Sequence, residues 1–243
     1  MMTIRRAATL GTNPSSDVNM RCHFAFQGYQ ETAHIHEGRL RVANTTVLRP
    51  GECFRLERER DVDIVTWVQH GELITHTEDF LPETVPAGGL HVLRTGTGCA
   101  GMAWHAGADG ASFVQLWFLA DQEGMRPCQE IREAERTSSE GGFQILASGF
   151  PEDDPEESDI PDDAAPVTLS SQARFLLATI PAGEGAAYST AEGRDLYLIL
   201  VSGNVKIGNA ELAPGDGASF ESQQEIVVIA EKTAVVLLSD IAA

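Results

Sequence analysis

The chain has 243 residues, 42% of them hydrophobic, enough for one large domain or two of ordinary size. Its formal charge of -19 leaves no basic face to neutralise phosphates, so nucleic acid is not an expected partner, and anionic membranes repel it. There is no apolar run of about 18 residues to span a membrane, and no apolar run follows Arg5 and Arg6, so a secretory signal is not expected and a cytoplasmic location is.

Residues 1 to 20 read as an extended arm with a turn cluster at Asn13-Pro14-Ser15-Ser16-Asp17. Short β-forming runs follow at Cys22 to Phe26, Leu40 to Val42 and Thr45 to Leu48, with Ala43-Asn44 as a turn. Arg49-Pro50-Gly51-Glu52 turns into the central stretch, Gly51 to Gly71. Asp63 to Val68 is a strand, Gln69 to Glu72 a turn, and Leu73 to Thr77 the returning strand. Pro82 to Gly89 is a turn, His91 to Leu93 a strand, and Thr95 to Gly98 a glycine-bearing turn. Ala100 to His105 and Phe113 to Leu119 are further strands, and Gln129 to Arg136 reads as a short helix. Pro151 to Asp163 is acidic and proline-bearing, as in a solvated connector, and lacks the spacing of an EF-hand loop. Cys22, Cys53, Cys99 and Cys128 show no C-x-x-C spacing and read as reduced thiols.

From Val167 the pattern repeats. Asp63 and Gly71 are eight residues apart, as are Asp195 and Gly203, and the offset between the pairs is 132. Each pair is followed by a strand and then a proline-glycine turn, at Pro86-Ala87-Gly88 and at Pro214-Gly215-Asp216. One supersecondary unit written twice implies two β-barrels in tandem. The expected division is an N-terminal barrel over 1–145, an acidic connector over 146–166 and a C-terminal barrel over 167–243.

The central stretch has the frame of a cupin motif, with Glu57 and Glu59 at the His-x-His positions, Asp63 at the Glu position and Gly71 closing it. With His23 to Phe26, Gly71-Glu72-Leu73, Thr95 to Gly98, Gln115-Leu116-Trp117 and Gly203-Asn204-Val205, the chain resembles the pirin family of bicupins, related to quercetin 2,3-dioxygenase. The resemblance implies an all-β fold of two antiparallel barrels. It implies one iron or other divalent metal in the N-terminal barrel, flavonol dioxygenation in some members and regulatory protein contacts in others. The family's metal-binding histidines fall here on Glu57, Glu59 and Thr75, and its last ligand region falls on Gly96 to Ala103, with Gly101 at the histidine position.

No cofactor is therefore expected, and the chain reads as a ligand-binding or regulatory pirin-like protein whose partner is an aromatic small molecule or a protein. The alternative is a quercetinase-type oxidoreductase with an iron or manganese ion on Glu57, Glu59 and a displaced His76. Glu57 and Glu59 are two apart and share a strand face, where they either chelate or pair with Arg55. His76 faces away on a regular strand and reaches the site only through a bulge. His91 and His105 are further candidates, while His34 and His36 read as solvated. The pocket candidates are Glu57, Glu59, Asp63, Thr75, Cys99 and Gly101. Trp67, Trp104 and Trp117 either fill cores or line an aromatic pocket. The second barrel has Ser189 and Ala191 at the positions of Glu57 and Glu59, so it offers no metal site and reads as structural or interacting.

Overall fold

The computed structural model describes residues 1–13, 18–133, 142–153 and 165–242. Its strands are β1 (Met2–Arg5), β2 (Asn19–Cys22), β3 (Leu40–Leu48), β4 (Cys53–Glu59), β5 (Val62–His76) and β6 (Glu83–Pro86). They continue with β7 (Leu90–Arg94), β8 (Cys99–Leu119), β9 (Cys128–Arg132), β10 (Gln144–Ser148), β11 (Val167–Thr168) and β12 (Ala173–Ile180). The last five are β13 (Gly185–Ser189), β14 (Arg194–Ile207), β15 (Ala210–Leu212), β16 (Gly217–Phe220) and β17 (Glu225–Ala242).

One sheet runs β2-β3-β8-β5-β7-β9, with β4 on β8 and β6 on β5. The other contains β1-β16-β14-β17-β12-β10-β11, with β13 on β17 and β15 on β14. The two halves are one plan used twice: β3-β8-β5-β7 matches β12-β17-β14-β16. β4 and β13 begin at 53 and 185, and β5 and β14 at 62 and 194, 132 residues apart in both cases. This is the bicupin fold.

Alternation along the strands builds three cores. On β5, Ile64 and Val68 point into the first barrel, while Val65 and Trp67 point into the seam between barrels. On the matching strand β14, Leu196, Leu198 and Leu200 fill the second barrel while Tyr197 and Ile199 face the seam. A strand buried on both faces must be apolar on both parities, which explains the near-continuous apolar runs of β5, β8 and β14.

Several local expectations are corrected. Ala43-Asn44 is no turn: β3 is continuous through it, because Ala43 and Asn44 pair with Leu116 and Gln115 of β8. Gly71 does not end a strand: β5 runs through it with register shifts on either side against β8. The stretch expected as a helix from Gln129 is strand over Cys128–Arg132, paired to β7; residues 134–136 of that expectation lie outside the described residues. Most of the Asn13 to Asp17 cluster and residues 154–163 of the acidic connector also lie outside them. The boundaries drawn at 145 and 146 are crossed by β10, which pairs with β12 in the second sheet, and β1 belongs to that sheet too, paired with β16. The N-terminal arm thus supplies an edge strand to the C-terminal barrel.

The seam is pinned by Asp63. Its carboxylate accepts the backbone N–H groups of Ser170 at 2.5 Å and Ser171 at 3.1 Å. Burial raises its pKa to about 6, against the lowering pull of these bonds and of Arg94. Glu37 is raised to about 7 by burial and by the neighbouring charges of Asp195 and Glu221. For an acid whose folded pKa is raised, stability is greatest below the unfolded value and falls as pH rises through the folded value. The protein is therefore expected to lose stability between pH 4 and 7, roughly 2 kcal/mol of it from Asp63. Asp63→Asn keeps one acceptor oxygen and removes the titration. Urea midpoints at pH 5 and 7.5 should lie closer together in that variant than in the wild type, and an unchanged gap would assign the pH dependence elsewhere.

Candidate functional site

The positions to which the resemblance assigns metal ligands are only partly brought together: Glu57 and Gly101 line one depression, whereas Thr75 is buried. On β4, Phe54 and Leu56 point into the first barrel, so Glu57 between the paired residues Leu56 and Arg58 is exposed. Glu59 is half-buried opposite Cys99, and burial raises its pKa. Thr75 is buried, its hydroxyl donating to the Glu83 carbonyl at 3.3 Å. His76, next along β5, is exposed on the outer face. Cys99 is buried in the barrel core, and burial pushes its thiol to about 11, so it stays protonated and unreactive. Asp63 lies in the seam rather than at the barrel mouth. Among the described residues, no three His, Cys, Asp or Glu side chains are grouped closely enough to hold a metal ion.

Gly101 explains part of this change. It has a φ of +60°, and a Cβ there would lie 2.7 Å from Glu78 Cγ and 3.0 Å from Glu78 Oε1. The absent side chain leaves a notch, and Glu78 fills it. Glu57, Glu78, Gly101, Arg55, Leu56 and Met102 line an open depression of about 580 Å³. Leu56 and Met102 are buried members of the barrel core, so they separate this depression from the interior. Where the resemblance puts imidazole ligands, Glu57 and Gly101 border an open hollow that holds two carboxylates and one guanidinium. These residues do not fit an iron centre of the dioxygenase type, which takes neutral imidazoles around open positions.

The barrel interior keeps polar groups. Asn44, Gln115, Thr66 and His91 are cross-strand neighbours on four adjacent strands, on the face that carries Ile64, Leu93 and Phe113 into the core. Gln115 donates to the Thr66 hydroxyl at 3.1 Å. His91 contacts Gln129 Oε1 at 3.2 Å, and burial pushes its pKa down to about 4, so it is neutral near pH 7. Asn44 Oδ1, Thr46 Oγ1, His91 Nδ1 and Gln115 Oε1 have no hydrogen-bond partner among the described residues, nor do the indole N–H groups of Trp104 and Trp117. Left dry, each would cost about 1–3 kcal/mol. Phe54 stacks on Trp104 with ring centroids 5.7 Å apart, and Phe26 meets Trp117 edge-on at 5.4 Å. Trp104 and Trp117 therefore sit in the barrel core and Trp67 in the seam. His105 lies on the outer side, 3.6 Å from the Cys53 sulfur, with its pKa lowered by burial, Arg55 and His76.

A second polar group was missed in the sequence. In the C-terminal barrel Asp240, completely buried, accepts hydrogen bonds from Tyr188 and Thr190, both at 2.7 Å, and contacts Arg174 at 3.3 Å and Arg194 at 3.5 Å. Both guanidiniums also meet Glu152, and Arg174 forks onto Asp153. These residues are scattered from 152 to 240, and no local motif joins them. The 132-residue offset is the signal that would have found them: Val42, Leu56 and Val62 of the first barrel correspond to Arg174, Tyr188 and Arg194 of the second.

Comparison with known proteins places this geometry in context. Residues 159–241 match the quercetinase C-terminal cupin domain family. A Zymomonas mobilis protein with a provisional quercetin 2,3-dioxygenase name is 29% identical over 240 residues, covering 98% of this chain and 97% of its own. A pirin-like protein of Caulobacter vibrioides is 29% identical over 222 residues, covering 90% of each chain. The crystal structure of the bacterial pirin YhhW of Escherichia coli with nickel(II) superposes with a TM-score of 0.86 at 22% identity, over 100% of this chain and 99% of that one.

Proposed function

Because the chain is pirin-like in sequence and a bicupin in fold, we propose that it is a pirin-type protein that has lost the usual metal centre and acts in the cytoplasm as a small-molecule-binding, regulatory protein. The observation that carries the first part is the Gly101 notch. At a position where the resemblance puts a histidine ligand there is no side chain, and the Glu78 carboxylate takes the space. Glu57 is exposed and His76 lies on the outer face, and among the described residues no three His, Cys, Asp or Glu side chains are grouped closely enough to hold a metal ion, which supports the same reading.

The ligand-binding part rests on the depression at the same place and on the chemistry beneath it. Arg55 offers a guanidinium, Glu57 and Glu78 offer acceptors, and Leu56 and Met102 form an apolar floor. This combination suits a flat aromatic molecule carrying hydroxyl groups, which stacks on the floor and hydrogen-bonds at the rim. The neutral His91, the amide oxygens of Asn44 and Gln115 and the indole N–H groups of Trp104 and Trp117 give the barrel interior polar capacity without charge.

Protein reconstituted with iron, manganese or nickel is expected to show no oxygen uptake with quercetin above the metal-only blank. Quercetin should raise the melting temperature, and a chelator should leave it unchanged, since ligands that favour the native state stabilise it by mass action. Oxygen uptake that tracks protein concentration would contradict the loss of the metal centre. An unmoved melting temperature would contradict the ligand class.

A further inference from the structure

The two barrels differ most where they correspond best. In the first, Val42, Leu56, Val62 and Trp117 are all core residues. The corresponding set in the second is Arg174, Tyr188, Arg194 and Asp240. The first three pairs follow from the 132-residue offset. The fourth follows from strand pairing, since Ile64 opposes Trp117 as Leu196 opposes Asp240. Four apolar side chains that seal one barrel are replaced by four polar ones in its twin. Stability alone does not account for that exchange, because buried charges often stabilise no more than well-packed apolar groups of similar volume.

The replacement set is built for anions. Two guanidiniums face one aspartate, which leaves one net positive charge before any other segment arrives. Asp240 holds the Tyr188 and Thr190 hydroxyls in place and anchors both arginines from below. What fills the site is a pair of carboxylates from the chain itself. Asp153 takes the Arg174 fork, at 2.6 Å from Nε and 3.0 Å from Nη2, and accepts the Ser148 hydroxyl at 2.5 Å. Glu152 Oε1 bridges the two arginines, 3.1 Å from Arg174 and 2.6 Å from Arg194. Phe150 lies under the Arg194 guanidinium, 3.4 Å from its centre. Arg174 and Arg194 are close to nine-tenths buried, yet Glu152 is half exposed; Arg194 also borders an open cleft of about 410 Å³, whose lining includes Glu192 and Asp195. The occupant therefore reaches the arginines from the solvent side.

We propose that this end of the C-terminal barrel is a binding site for a small dicarboxylate, with Arg174 and Arg194 as its anion-holding pair and Glu152 and Asp153 as an internal occupant that a ligand must displace. The ligand class follows from the occupant: two carboxylates on adjacent residues, one forked onto a single guanidinium and one bridging two. Bidentate guanidinium pairing selects carboxylates by geometry as well as charge. A tethered occupant acts at an effective concentration of roughly millimolar or above, which holds the wild-type affinity low.

The test is calorimetric titration of malonate, succinate and glutarate into the wild type and into E152Q/D153N, each at the same ionic strength. The double variant is expected to bind at least one of the three about tenfold more tightly than the wild type, the tenfold being the loss of an internal competitor. Adding Arg194→Gln to it should abolish that binding. The proposal is overturned if no dicarboxylate binds the folded double variant, if both proteins bind equally, or if Arg194→Gln changes nothing. Should the double variant fail to fold, Glu152→Gln alone carries a reduced form of the comparison: it frees Arg194 while Asp153 still holds Arg174, so tighter binding than the wild type by less than tenfold is expected, and equal binding overturns the proposal.

Discussion

Arg174→Ala is expected to destabilise the protein by about 3–5 kcal/mol, the usual cost of removing one partner from a buried ion cluster. The Arg174 guanidinium meets Asp153, Glu152, Tyr188 and Asp240. Without it, Asp240 stays fully buried with Arg194 at 3.5 Å as its remaining cation. Asp153, which Arg174 and Ser148 hold below its ordinary range against the pull of burial, loses its fork. Urea unfolding measures the loss. Combining Arg174→Ala with Asp240→Asn should recover part of it, because the second change removes the uncompensated charge. A loss below about 1 kcal/mol would mean that the cluster is as weakly coupled as a surface ion pair.

Gly71→Ala and Gly203→Ala should each cost about 2–4 kcal/mol, through backbone strain and overpacking together. Both glycines have a positive φ, +75° and +84°. A Cβ at Gly71 would collide with the Gly110 carbonyl oxygen, and one at Gly203 with the Thr233 carbonyl oxygen. Here β5 and β14 shift register against their long partners, β8 and β17. Gly51 is the control. Its φ is +76° but nothing lies within 4 Å of its Cβ position, so Gly51→Ala should cost only about 1 kcal/mol. Equal losses at all three positions would show that backbone conformation alone sets the cost.

These two effects mark what could and could not be read from the chain. The glycines were legible because Asp63 with Gly71 and Asp195 with Gly203 share spacing, and the same offset carries the duplicated barrel. Their role was misread. An isolated glycine after a β-forming run signals a turn, whereas here the strand bends and continues, held by pairing to a partner more than thirty residues away. Ala43-Asn44 misled for a related reason, since long-range pairing with β8 outweighs local turn propensity. Gln129 looked helical because its neighbours are good helix formers, but pairing with β7 makes it strand.

The site was half legible. The motif frame located the hollow at Glu57 and Gly101, and the register argument that turns His76 outward agrees with its exposed position. That Glu78 would fill the notch depends on how the loop after β5 returns, which no residue pattern encodes. Asp63 occupies a motif position but serves the seam, because its partners Ser170 and Ser171 lie 107 and 108 residues on. The Arg174–Asp240 cluster carries no local motif, because Arg174, Tyr188, Arg194 and Asp240 lie on four different strands and meet only in the folded barrel.

The proposed loss of the metal centre is tested most directly by elemental mass spectrometry on untagged protein that has been incubated with iron, manganese, nickel and zinc and then desalted. The expected result is metal far below one equivalent for all four, because the ligand positions hold an exposed glutamate, a half-buried one, a buried threonine and a glycine. Retention of about one equivalent, lost again in Glu57→Ala or Glu59→Ala, would contradict it, since only a formed site ties its metal to named ligands.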